Sequence, residues 1–593
     1  MILVFGGTTE GRKAMKELEE AGKTFYYSTK TGEQKVDLCH GIAVSGAMTA
    51  DKMRLFCHEH DIRLIIDAAH PFAAHLHSTV AEVAADLNIP AIRFERIFPP
   101  RDNDIFWCDN YDEAIDQITD GSIVLATTGV QSIAKLKRLD EKGCNVYYHI
   151  LDRPSSIAIA TAEGLTPEQL QEPRHADCLI LKESGLTGGY LEKIECARQK
   201  GMRIIALRRP ATPAYFKTVN GEHGLRRMVE QLLPDFYPLH SGLTTGTYAT
   251  AAAIAAYNRS VAAGGVGVPP AHNKVPVILP NGETIHVEAH YADGYAYTIK
   301  ESGDDPDVTN GAEIRAKVES TDGELTIVGG EGVGHFTLPG FDYPPGEAAI
   351  NRVPREMIRR NLNNANVKVT ISVVGGERLA QRTFNPRLGI VGGISIVGVS
   401  GIVKPFSEEA FVDSIRRCVQ VAALAPLPPG GGLSNAQPTP PAGGQGGQIV
   451  ISSGAKSERL VRQRFPTLPP QAFVEYGNYI GATISIADEL GIKSIHLVMM
   501  IGKAVKLAAG HLDTHSRRST MDRQFIARML EEAGCTADTV EKVGTITLAK
   551  ELWTLIPETQ HAPFVEVLTR HCHDVCSPLL KNSKLEIIIL KEE

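Results

Sequence analysis

MILVFGGTTEGR, residues 1–12, decides the fold of the first half. An apolar run enters Gly6 and Gly7, and helical spacing at Ala14, Leu18 and Ala21 follows at once. A strand that turns through glycines into a helix begins a parallel α/β unit, because the helix packs back over the strand it leaves. Outward from this start the texture repeats. ILVFGG, TFYYST, LIIDAAH, AIRFER, SIVLATTG, NVYYHIL, CLILKES and RIIALRR are strand-like runs separated by helical patterns. Eight such runs, with a second glycine-bearing strand end at Thr127–Gly129, predict two doubly wound, Rossmann-like lobes around a cleft over residues 1–236. Pro234 and Pro238 then break the alternation and mark a domain boundary.

From 237 to 593 the pattern is α+β followed by an α/β subdomain. TYATAAAIAAY reads as a helix, KVPVILP and ETIHVEAHY as strands, and QIVISSGAKSE and KSIHLVMMIGKAVKLAAG as strand followed by helix. Two segments look inserted: VAAGGVGVPPAHNK, and a Pro/Gly/Gln-rich stretch at about 425–447. The second buries too little apolar surface to offset its ordering entropy, which predicts a mobile surface loop.

The 593 residues imply several domains with sizeable cores, and 43% apolar with 22% charged residues excludes wholesale disorder. A net charge of -8 disfavours nucleic acid or an anionic membrane surface as partner. No leader and no run of eighteen apolar residues is read, so the expected location is the cytoplasm. Ten scattered cysteines suit reduced thiols. HCHDVC near the end reads as packed thiols, one ligand pair short of a zinc site, and no metal is expected. The sequence specifies no oligomeric state.

Glycine loops that open helices admit phosphates, so Gly6, Gly7, Thr8, Thr9, Gly11 and Arg12 read as a nucleotide loop, with a tight strand-to-helix turn as the alternative. Lys30, beside Ser28 and Thr29 at the second strand end, favours a 2′-phosphate and hence NADPH over NADH. DAAHPFAAHLHS places His70 at a strand end, where a histidine can donate a proton. Helix capping by the same residues is the alternative.

FGGTTEGR, DAAHPFA, TTG at 127–129, KESGLTGG and RRP resemble the precorrin-6A reductase family of cobalamin biosynthesis. The resemblance implies hydride transfer from a nicotinamide cofactor to one double bond of a macrocycle, in a cleft between two lobes. By motif it places the glycine loop, His70, Thr128, Gly129, Lys182 and Ser184 at facing loops of the cleft. A polycarboxylated tetrapyrrole substrate makes Arg93, Arg96, Arg101, Arg208 and Arg209 carboxylate partners.

In the second half, TTGT with its alanine helix, SGDDPDVTNGA, GGEGVG, GEAAINRVPREMI, NPRLGIVGG and KLAAGHLDTHS resemble the cobalt-precorrin-5B C1-methyltransferase family. That implies methyl transfer from S-adenosylmethionine, and a chain carrying two consecutive reactions. Gly329, Gly330, Glu331, Gly332 and Gly334 are the expected contacts of the methyl donor, and Asp304 and Asp305 are expected to shape the reaction site. Thr244, Thr245, Arg355, Lys503, His511, His515 and Arg517 are the expected substrate contacts. A tetrapyrrole carrier with only one active half is the alternative reading.

Overall fold

The computed structural model describes residues 1–34, 36–264, 274–424, 447–515 and 519–591. The expected mobile loop falls, but for Gly447, outside the described residues, as do Arg517 and residues 265–273 of the other inserted segment. Two compact units form: Met1–Ser241 with Pro276–Val287, and Gly242–Val275 with Glu288–Glu593.

The first unit contains β1 (Ile2–Phe5), β2 (Phe25–Thr29), β3 (Gly41–Ser45), β4 (Leu64–Asp67), β5 (Ala91–Glu95), β6 (Phe106–Cys108), β7 (Ile123–Ala126), β8 (Asn145–Tyr148), β9 (Cys178–Lys182), β10 (Arg203–Leu207) and β11 (Lys217–Asn220). They build two sheets, ordered β11-β5-β4-β1-β2-β3 and β6-β10-β9-β7-β8. Every pair is parallel. Parallel sheets are covered on both faces, which explains the unbroken apolar runs. Ile2 and Val4 pack with Ala14, Leu18 and Leu225 on one face of the first sheet. Leu3 and Phe5 pack with Met53 and Val80 on the other. The helix Thr9–Glu19 starts on Thr8, whose hydroxyl accepts from the Gly11 N–H.

The following strands are β12 (Gly242–Leu243), β13 (Lys274–Ile278), β14 (Thr284–Glu288), β15 (His290–Ala292), β16 (Tyr295–Ile299), β17 (Glu313–Ser320), β18 (Thr326–Gly329), β19 (His335–Phe336), β20 (Val367–Val373), β21 (Ile390–Val391) and β22 (Ile402–Val403). The turn between β13 and β14 belongs to the first unit. Its Glu283, 2% exposed, accepts from the His223 and Gly224 N–H groups at the start of the helix Gly221–Leu232. Gly221, at φ 69°, is required there, since a Cβ would stand 1.8 Å from the Glu283 carboxyl carbon.

In the second unit, β15-β16-β17-β20-β18 form a mixed sheet in which only β18 and β20 run parallel. The helix Thr245–Gly264 packs on it, its buried alanines (Ala249, Ala252, Ala253) allowing close approach. A four-stranded parallel sheet follows, built from β23 (Gln448–Ser452), β24 (Phe473–Glu475), β25 (Ser494–Met500) and β26 (Lys584–Leu590) in the order β24-β23-β25-β26. Cys572 and Cys576 lie in its apolar core with Phe564 and Leu568, and burial pushes the Cys576 thiol up to about 12.

Candidate functional site

The first unit gathers its chemistry at the carboxyl ends of β1, β4, β5 and β9. Gly6 and Gly11 let the chain pass Tyr27: a Cβ on either would fall 2.2 or 2.6 Å from the tyrosine ring or its hydroxyl. Gly7 donates its N–H to Gln34 Oε1 at 3.1 Å and Tyr27 Oη at 3.3 Å. Thr9 is half-buried beside them, and Arg12 and Lys30 are exposed. Tyr27 and Gln34 were not anticipated from sequence, because Gly6, Gly7 and Gly11 meet them only in the fold.

At the end of β4, Asp67 is fully buried. It accepts from Arg93 at 2.9 Å and from the Ala69 N–H at 3.0 Å, and faces His77 Nδ1 at 2.5 Å. The other nitrogen of His77 faces the His70 carbonyl at 3.1 Å. Arg93, 1% exposed, also donates to the Ala69 carbonyl and to Glu95. Its guanidinium is therefore spent inside the lobe, unlike the carboxylate partner expected from sequence.

Arg96 is likewise internal: it pairs with buried Glu10 at 2.8 Å and donates to the Ser184 carbonyl at 2.7 Å, tying the first lobe to the loop after β9. Gly185, at φ 77°, and Gly188 leave room for it. Glu183 holds Arg101 and Arg209 in the same way. Burial would raise this carboxyl, but the two arginines keep it below its usual range. Arg208 pairs with Asp109 at 2.8 Å. In the second lobe Thr128 is buried and shares a 2.6 Å hydrogen bond with Ser132, beside Gly129 at φ 84°.

His70 and Lys182 remain as reactive groups. Burial, reinforced by Arg96, Lys182 and Arg93, pushes His70 down to about 3. Its Nδ1 accepts the Phe72 N–H at 3.2 Å, so the ring is neutral near pH 7 and carries its hydrogen on Nε2. It can donate a hydrogen bond there. Lys182 Nζ lies 5.2 Å from the Phe72 ring centroid, and burial, with help from Lys135, pushes it down to about 8.

In the second unit, Thr244 and Thr245 are buried. The Thr244 hydroxyl accepts from the Thr247 N–H at 3.2 Å, and the Thr245 hydroxyl accepts from the Val397 N–H at 2.9 Å. They cap the alanine helix and hold the 397–401 turn. Asp305 accepts from the Phe406 N–H, and burial raises its carboxyl. Asp304 is exposed in the same loop. The buried cation beside them is Lys300, 2.7 Å from Asp307. Arg355, 5% exposed, is held by the Ile350 carbonyl and Glu347.

The glycines at 329–334 face protein rather than open space. A Cβ at Gly332, φ 74°, would stand 1.9 Å from the Val373 carbonyl oxygen, and one at Gly334 2.7 Å from that of Gly393. One at Gly330 would stand 2.3 Å from Ser372 Oγ, and one at Gly329 2.8 Å from Ala348. Glu331 is exposed. Close packing therefore accounts for the lack of side chains in this motif, while Gly329 itself is exposed. Gly332→Ala should cost about 1–3 kcal/mol, read in urea denaturation, because the clash is with backbone on two sides.

Lys503 donates to the Gly477 carbonyl, Asn478 Oδ1 and Thr514 Oγ1, pinning the YGN turn to the HLDTH segment. His511 and His515 are half-buried on that segment, and Asp513 accepts from the His515 N–H. Burial, with Lys506 adding to it, pushes Lys503 down to about 8. Lys503→Met should destabilise the second unit by about 1.5–3 kcal/mol in the same measurement. Among the described residues no three His, Cys, Asp or Glu side chains converge on a metal position.

Fold and site define a two-part α/β enzyme, with two parallel sheets in one part and a mixed and a parallel sheet in the other. Residues 1–226 match the family model described as precorrin-6x reductase CbiJ/CobK, residues 235–405 match CbiD, and residues 513–593 match the CbiD C-terminal domain. The cobalt-precorrin-5B C(1)-methyltransferase of Prosthecochloris aestuarii is 35% identical over 370 residues, 59% of this chain and 94% of that protein. That of Priestia megaterium is 37% identical over 348 residues, 56% of this chain and 88% of that protein. A solved structure of CobK precorrin-6A reductase aligns at 19% identity and TM-score 0.31, over 39% of this chain and 97% of that chain. The chain belongs to the cobalt-precorrin-5B C(1)-methyltransferase family, with a precorrin-6x reductase domain joined ahead of it.

Proposed function

We propose that the chain is a bifunctional enzyme of cobalamin biosynthesis. Its second half transfers a methyl group from S-adenosylmethionine to C1 of cobalt-precorrin-5B. Its first half then reduces the resulting cobalt-precorrin-6A to cobalt-precorrin-6B with hydride from NADPH or NADH. The observation that carries this reading is the matching of two enzyme families along one chain, since the product of one reaction is the substrate of the other.

The two lobes of the first unit act as Rossmann-like halves, with the nicotinamide cofactor at the carboxyl ends of β1 and β2. Its pyrophosphate takes the Gly7 N–H from Gln34, and exposed Arg12 and Lys30 supply the positive charge, Lys30 toward a 2′-phosphate. The macrocycle lies against His70, Phe72 and Lys182. In the second half His511 and His515 meet its carboxylates, and Asp305 lies beside the reacting ring. Ten free cysteines fit a reducing compartment, the cytoplasm. Among the described residues no helix is long and apolar enough to cross a membrane.

Incubation of the full chain with cobalt-precorrin-5B, labelled S-adenosylmethionine and NADPH or NADH tests the proposal. Label should enter the pigment, and the absorbance of the conjugated ring should then shift. Pigment binding with neither change overturns the enzyme reading and leaves a carrier.

A further inference from the structure

The four-stranded parallel sheet of the second unit has a topological reversal. The chain leaves β23, forms β24 on one side, then crosses back to place β25 on the other. Open parallel sheets bind ligands at the carboxyl ends of the strands flanking such a reversal, with an acid at the end of the second strand on the ribose hydroxyls. Glu475 ends β24, about 20 residues beyond the Gly454 turn that follows β23.

Three independent observations converge there. Ser452 and Glu475 are register partners on adjacent parallel strands, so their side chains leave the same face of the sheet. Ser452 is 1% exposed, and among the described residues its hydroxyl has no hydrogen-bond partner. A buried hydroxyl left unpaired is costly, and a ligand hydroxyl would satisfy it. Glu475 is half-buried, and a Cβ at Gly454 would stand 3.3 Å from its Oε1, so the carboxylate lies over the turn between β23 and the helix Ala455–Arg462. Burial raises this carboxyl, with Arg387 opposing. Arg387 itself is held by Glu458 at 2.8 Å.

We propose that the nucleoside of the methyl donor seats here, its ribose diol on Glu475 and Ser452. This rests on the methyltransferase reading of the second half, and moves the donor from the packed glycines at 329–334 to the carboxyl end of the last sheet.

Calorimetric titration of the full chain with S-adenosylhomocysteine tests it without turnover. Glu475→Gln should weaken binding about tenfold or more, the scale of a lost charge-assisted hydrogen bond. Glu331→Gln should leave binding unchanged, both variants should keep the parent's urea unfolding profile, which checks folding, and both should bind NADPH as the parent does. The 2′-deoxy analogue of S-adenosylhomocysteine, titrated into the unaltered chain, should bind about tenfold more weakly. Equal binding of both nucleosides, or a loss confined to Glu331→Gln, overturns the proposal. Selective loss of NADPH binding in Glu475→Gln also overturns it, by giving the site to the other nucleotide. An unaltered chain that binds NADPH but no S-adenosylhomocysteine takes away the methyltransferase reading beneath it.

Discussion

Lys182→Met should lower turnover of the reductase half by about 10²–10⁴-fold, the range of a lost general acid. Reducing a carbon–carbon double bond of the macrocycle adds hydride to one carbon and a proton to its neighbour. The cofactor supplies the first, and the protein must supply the second. His70 is neutral at pH 7, since burial and the neighbouring cations push it down to about 3, so it carries no imidazolium proton to give. Lys182, pushed down to about 8, is protonated at neutral pH yet poised to release that proton.

The pH profile separates this role from a structural one. For the unaltered chain kcat/KM should hold below about pH 8 and fall tenfold per unit above it, as the ammonium is lost. Bound substrate carboxylates favour the ammonium, so the corresponding limb of kcat should lie higher. In Lys182→Met the alkaline limb should vanish. Lys182→Arg, which keeps the charge but does not release its proton, should rescue pigment binding and not turnover. An unaltered limb in Lys182→Met would place the proton donor elsewhere.

Asp67→Ala should cost about 3–5 kcal/mol of stability, because it removes the nearer of the two carboxylates that balance buried Arg93, leaving only Glu95 at 3.3 Å, and leaves His77 facing an empty position. Denaturant unfolding should show the loss in the first unit's transition. Asp67→Ala combined with Arg93→Met should recover part of it, since a buried charge with half its compensation is worse than none. A single variant within about 1 kcal/mol of the parent would mean that water reaches and compensates the site. The effect should extend to function, because His77 holds the His70 carbonyl and so sets the path of the HPF turn.

The eight strand runs read within residues 1–236 correspond to β1, β2, β4, β5, β7, β8, β9 and β10. The three strands of that stretch that the sequence concealed, β3, β6 and β11, are all edge strands. GIAVS, FWC and KTVN lack two-sided burial, and without it the continuous apolar signal of a parallel strand disappears. That Lys182 ends a strand and His70 follows one was legible, because both come straight after apolar strand runs.

The roles of the arginines were not legible. Arg93, Arg96 and Arg209 look identical in sequence to solvent-facing cations, and only the fold sets Asp67, Glu10 and Glu183 against them. Glycine is equally silent about its reason: Gly332 serves a close approach of two backbones, the same residue type that would admit a ligand. Glu475 stayed hidden as one of 69 acids, because its meaning depends on which strand it ends.

The first unit is not contiguous along the polypeptide. Residues 276–287 return to it, and Glu283 among them caps the helix that begins at Gly221. A recombinant fragment cut at residue 241 would lack that carboxylate, leaving amide hydrogens at the helix start and a void over Gly221 to be filled by solvent. Dividing this gene into separate reductase and methyltransferase products therefore requires either redesigning that helix start or supplying the hairpin as an added peptide.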